Sequence, residues 1–169
     1  MNEIILNEFK RNAIYRLSEN LRMINIAFSK VTDELLWKRP TENGMALGNQ
    51  LLHSCGNMTQ YIISSLGNTV DQRERELEFS ATGTSNKKEL LAMLSNTVSK
   101  SQAVIKETTS EDFERIRTVQ GFELSGIGVT LHAVEHFSYH TGQIAFWIKV
   151  LTNEDLGFYS GQDLTIKNN

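Results

Sequence analysis

The chain reads as an all-α protein, a four-helix bundle, and three observations lead there. Apolar residues recur at three- and four-residue steps through four long segments, a single Pro interrupts 169 residues, and strand-like alternation is scarce. A helix with one apolar stripe must bury it against another element, and four such stripes close around a common core.

The first segment runs from about Glu3 to Ser29 and turns Phe9, Leu17, Leu21, Ile24 and Phe28 inward. It stops near Thr32-Asp33, where a short turn, Glu34-Leu35-Leu36-Trp37, begins. Pro40 closes that turn, because Arg39 before it is pushed out of the α region. The second segment, about Ala46 to Leu66, buries Leu47, Leu51, Met58 and Ile62 and ends at Gly67. The third starts after Asn86, an N-cap with Glu89 three residues on, and carries Leu90, Leu91, Leu94, Val98 and Ile105 inward. About 19 residues separate helices two and three, too many for a tight antiparallel turn. The two helices are therefore expected to be parallel, which gives an up-down-down-up order with a long crossover. Residues Glu114 to Leu124 read as extended, a small hairpin turning at Gly121. The fourth helix runs from near Ser125 to about Leu151, and Gly157 and Gly161 mark an irregular tail. One domain, residues 1–169, accommodates all of this.

A net charge of -3 without a basic cluster argues against nucleic acid or an anionic membrane as partner, since phosphate binding needs clustered Lys and Arg. The run Gln72-Arg73-Glu74-Arg75-Glu76 cancels its own charge. The single Cys55 excludes an intramolecular disulfide, and no apolar run approaches the roughly 20 residues a membrane span requires. With no basic leader pattern at the N-terminus, the expected location is the cytoplasm.

The chemistry concentrates in Val134-Glu135-His136-Phe137-Ser138-Tyr139-His140-Thr141-Gly142-Gln143. His136 and His140 are four residues apart, one helical turn plus about 40°, so both imidazoles leave the same face. His132 lies one turn earlier on that stripe and competes for the same role. With a third imidazole from another helix, such a pair can hold a divalent metal and leave one position open. The candidate third ligand is His53, on a helix-two stripe shared with Asn49, Asn57 and Gln60. That stripe is polar without a charge, which suits a semi-buried cleft whose groups a metal and its waters would satisfy. Cys55 points about 200° away from His53 and reads as a small buried hydrophobe. Trp37 and Trp147 read as core, and Glu135 as a solvated charge. There is no His-Glu-x-x-His, and with Glu135 read as solvated no obvious acidic general base stands within a turn of these histidines.

Two stretches in this order, Met45-Ala46-Leu47-Gly48-Asn49-Gln50-Leu51-Leu52-His53 and His136-Phe137-Ser138-Tyr139-His140-Thr141-Gly142-Gln143-Ile144, resemble the DinB-like (damage-inducible) superfamily of metal-binding four-helix bundles. Trp37-Lys38-Arg39-Pro40 and the long crossover fit the same pattern, so the resemblance extends over nearly the whole chain. It implies a metal held by His53, His136 and His140, with His132 outside the ligand set. Asn57, Tyr139 and Gln143 are the expected supporting residues, orienting a ligand or a water. Some DinB-like members are thiol S-transferases using low-molecular-weight thiols such as bacillithiol or mycothiol, and others resemble metal-dependent hydrolases. The resemblance thus implies a metal-dependent enzyme on a small molecule, thiol transfer or detoxification ahead of hydrolysis, with no residue singled out as catalytic. The alternative is a non-catalytic metal-binding bundle serving self-association or partner binding. Three imidazoles accept Zn, Ni, Cu or Fe, and zinc or nickel is expected first. A homodimer is expected too, with Phe137, Phe146, Trp147 and Ile148 supplying apolar surface around helix four.

Overall fold

The computed structural model describes residues 2–83 and 85–168. Helix α1 spans Glu3–Phe28, α2 Asp33–Leu36 and α3 Leu47–Met58, which continues as a π-helix through Thr59–Leu66. Helix α4 is Arg75–Ser80, α5 Lys87–Glu107 and α6 Ser110–Glu114. The hairpin strands are β1, Ile116–Val119, and β2, Phe122–Ser125, followed by α7, Gly126–Thr152. The four long segments are those that the apolar periodicity predicts.

Helices α1, α5 and α7 start where a side chain takes up a free backbone N–H. Asn2 accepts from Ile4 at 2.9 Å, Ser125 accepts from Gly128 at 3.1 Å, and Asn86 with Glu89 forms the expected capping box of α5. The hairpin turns at Gln120-Gly121, both with positive φ, as a two-residue turn matched to strand twist requires. Asn153, in the left-handed region, ends α7.

Long α1, α3, α5 and α7 form a ring in which α1 and α3 each pack against both α5 and α7. Lys10, early in α1, donates to the carbonyls of Lys106 and Thr108 at the end of α5, at 3.0 and 2.6 Å, so these two helices run oppositely. Phe9 meets Phe113 just ahead of α7, while Arg22 donates to the Phe158 carbonyl just beyond α7's end, so α1 and α7 run together. Gln50, His53 and Asn57 face His140, His136 and His132 in that order, which sets α3 against α7. Helices α3 and α5 are consequently parallel, and residues 67–86 cross over between them. Leu17, Ile24, Phe28, Leu47, Leu51, Met58, Ile62, Leu94, Phe137, Ile144 and Ile148 are fully buried in one continuous cluster, each contributing about 1.5–3 kcal/mol.

Three features depart from the expectations. The second helix widens to π geometry after Met58, with Gly67 N–H donating five residues back to Ile62 at 2.9 Å. The crossover contains the short helix α4. Of the helix-four residues expected to present apolar surface, Phe137 and Ile148 are buried and Trp147 is half-buried, leaving Phe146 exposed. Among the described residues, no helix is long and apolar enough to cross a membrane.

Candidate metal centre

Helix α3 supplies His53 and α7 supplies His136 and His140, and their ring nitrogens lie within 4.8 Å of one another. His53 and His140 are 7% and 5% exposed, and His136 is half-buried. The Nε2 atoms of His53 and His136 stand 3.1 Å apart.

The tautomers follow from what each ring meets on its other side. His53 Nδ1 lies 2.8 Å from Glu78 Oε2, so it carries the proton and donates to the carboxylate. His140 Nδ1 lies 3.2 Å from Gln50 Oε1 and donates there. Both rings therefore turn an unprotonated Nε2 toward the centre. The His53 Nε2 lone pair faces Nε2 of His136 at 3.1 Å, a contact satisfied either by the Nε2 proton of a neutral His136 or by a cation between the rings. Burial, reinforced by the neighbouring His140, His53, His132 and Arg73, pushes the His136 pKa down to about 3. Burial with His53 beside it pushes His140 down to about 4. A second proton is thus disfavoured on these two rings at neutral pH, and neutral imidazole is the ligating form. Among the described residues, the Nδ1 of His136 is buried without a hydrogen-bond partner. The donor set, three imidazoles converging from two packed helices, fits a divalent cation.

Glu78 comes from α4 and is 8% exposed. Burial raises its pKa, but hydrogen bonds from Arg73 and His53 outweigh that and hold the carboxyl below its ordinary value. Arg73 grips it with Nε at 2.7 Å and Nη2 at 2.8 Å, and extends Nη1 to Gln60 Oε1 at 2.9 Å. Gln60 in turn donates to Asp71 at 2.6 Å. Helix α4 is fixed by Asn49, whose amide donates to the carbonyls of Glu78 and Ala81 at 3.0 and 2.8 Å. These are terminal carbonyls that the short helix leaves free. Gly56, one turn below His53, makes room: a Cβ there would collide with the Glu78 carboxylate. A glycine inside a helix costs about 1 kcal/mol relative to alanine, and here it seats a carboxylate against a histidine.

The polar stripe of α3 is therefore divided. Asn49 and Gln60 serve the crossover instead of a cleft, and His53 alone joins the triad. Asn57 reaches His132, with Nδ2 at 3.3 Å from its Nε2, and among the described residues makes no hydrogen bond to the triad. His132 stands outside the three, stacked on Tyr61 with ring centroids 4.0 Å apart, and burial lowers its pKa. Tyr139 is exposed and sets its ring edge-on to His140 at 5.3 Å. Gln143 is half-buried and forms no hydrogen bond with the triad among the described residues. The rings are instead held by Glu78 and Gln50, with Arg73 behind. Gly56 three residues after His53 and Gln50 three before it are the traces these contacts leave in the sequence.

Cys55 is 5% exposed and points elsewhere, and burial pushes its thiol up to about 12. Trp37 and Trp147 tie down loops through Ser85 and Lys38 carbonyls, each at 3.1 Å, and the Trp37 ring packs on Gly48. His132, exposed Glu135, His136 and Tyr139 line a cleft of about 200 Å³ beside the triad.

Comparison with solved structures shows where this architecture recurs. A DinB-like protein from Bacillus subtilis, YjoA, superposes with a TM-score of 0.68 at 16% identity, over 88% of this chain and 96% of that one. A DinB-like protein from Bacillus cereus ATCC 10987 gives the same TM-score and identity, over 88% of this chain and 93% of its own. The fold is thus DinB-like, as the resemblance implied. No functionally curated protein matches the chain. A family model for proteins of unknown function, DUF1572, matches residues 5–163, and the chain belongs to that family.

Proposed function

We propose that this protein is a metal-dependent enzyme acting on a small molecule at His53, His136 and His140, with transfer involving a low-molecular-weight thiol ahead of hydrolysis. The observation that carries the reading is the cleft: His136 belongs to the triad and also lines a space of about 200 Å³, so the centre borders a volume a small molecule can enter. A bound divalent cation, zinc or nickel before others, would supply positive charge that stabilises a thiolate or acidifies a water.

The chain's own groups have separable tasks in this proposal. Glu78 and Gln50 fix the rings of His53 and His140 with Nε2 inward. The rings of His132, His136 and Tyr139 wall the cleft, and aromatic walls favour polarisable sulfur. Glu135, the carboxylate at the rim, is placed to take the proton that an incoming thiol or water must lose. That same carboxylate favours hydrolysis as the second reading.

Cobalt(II)-substituted protein titrated with cysteine, glutathione and bacillithiol tests the proposal. A sulfur-to-cobalt charge-transfer band that disappears in His140→Ala, with helix content intact, supports it. A metal-loaded protein that shows no band with any thiol sinks the transferase reading and leaves hydrolysis or a non-catalytic role.

A further inference from the structure

A second cavity, of about 720 Å³, opens on the other face of α3, between α3, the crossover and α5. Its walls include Leu52, Cys55 and Gly56 of α3, Leu77 of α4, Ala81, and Met93 of α5. None of the three histidines lines it. We propose that this cavity is a binding site for a neutral, largely apolar small molecule, separate from the histidine cleft.

Size is the first support, because small-molecule sites typically occupy about 300–1,000 Å³ and are lined mainly by apolar groups. Exposure is the second. Leu77 is 59% and Met93 41% exposed, both at this cavity, so two large apolar side chains face solvent where a ligand would cover them. Charge decides the ligand class. Arg73 is the cationic lining residue, and its Nε, Nη1 and Nη2 are all committed to Glu78 and Gln60. Its side chain is 2% exposed and its charge is already paired with the Glu78 carboxylate, so it offers a carboxylate or phosphate little attraction, and Glu74, exposed on the lining, repels an anion further. Thr59, Ser80, Thr82 and Thr97 offer hydroxyls that suit an alcohol, carbonyl or ester group. The Arg73–Glu78 pair stands between the cavity and His53, so an occupant touches the carboxylate side of that pair while the triad faces α7.

Two dyes of one skeleton test this: neutral N-phenyl-1-naphthylamine and its anionic sulfonate, 8-anilinonaphthalene-1-sulfonate, each titrated fluorimetrically into the full chain. The neutral dye is expected to bind at one site per chain, at least tenfold more tightly than the sulfonate. Ala81→Trp, which fills the cavity from a loop, and Met93→Trp, which fills it from α5, should each weaken the neutral dye tenfold or more at unchanged circular dichroism. His136→Ala should leave that binding as it is. Equal binding of both dyes, indifference to both tryptophans, or loss in His136→Ala overturns the proposal. So does dye binding that fades as protein concentration rises, which would mean that a second copy covers the mouth.

Discussion

Glu78 and His53 are 25 positions apart in sequence and 2.8 Å apart in space, and this contact joins the crossover to the triad. A carboxylate behind a ligating imidazole fixes its tautomer and raises its basicity. Glu78→Gln should lower metal affinity by roughly 10- to 100-fold without abolishing binding. Gly56→Ala, which drives the carboxylate out of its seat, should do the same from the opposite helix. Calorimetric titration with zinc measures both, and wild-type affinity in the two variants would show that Glu78 plays no part.

His132→Ala should keep most of the metal affinity, whereas His53→Ala or His136→Ala should lose it. His132 lies outside the set whose ring nitrogens converge. Damage from His132→Ala equal to that from His136→Ala would mean that the ligand set is wrong.

Arg73→Met should destabilise the fold by about 3–5 kcal/mol, because it strands a buried carboxylate. The Arg73 side chain is 2% exposed and that of Glu78 10%. The double variant Arg73→Met with Glu78→Met should recover much of the loss, since the unpaired charge is then gone too. Urea denaturation of the three proteins checks the pattern.

In metal-free protein, stability should fall as pH drops from about 6.5 toward 4. The folded state holds His136 at about 3 and His140 at about 4, below the ordinary 6.5 that they regain on unfolding. Between those values the unfolded chain binds more protons, so stability rises with pH. Glu78, held low in the fold, adds a loss of the same sign at the acid end of this window. Urea midpoints that stay flat from pH 6.5 to 4 would contradict the buried neutral rings.

Self-association is expected through α7, where Leu131, Tyr139, Phe146 and Val150 are each more than half exposed. Their spacings of eight, seven and four place them on one stripe. Sedimentation should find a dimer at micromolar concentration that Phe146→Glu dissociates. A monomer throughout would rule it out.

The bundle was legible because its signals are local. Asn86 with Glu89 marks a helix start, and Leu47, Leu51, Met58 and Ile62 mark a buried face. The His53, His136 and His140 grouping was legible through the resemblance, since spacing alone left His132 in contention. What supports those rings was not. Arg73 sits in the run Gln72–Glu76 that cancels its own charge, Glu78 lies two residues beyond it, and only the tertiary path of the crossover buries the pair. Asn57 and Gln143 share the right stripes, yet a stripe spans several neighbours and does not say which one each side chain meets.

The π-helical stretch Thr59–Leu66 gives this helix a place to absorb changes in chain length. Ladder bonds there reach back five residues instead of four, so the segment accommodates a residue that an α-helical path of the same length would not. Above it, His53 must keep its register against α7; below it, Gly67 must keep its fit beside Val104 of α5. Removal of Ser65 would let the stretch tighten to α geometry while both ends stay seated. The same deletion within Leu47–Met58 would rotate His53 by about 100° away from its partners. A gap in a related sequence should therefore fall after Met58 and leave the histidine end intact.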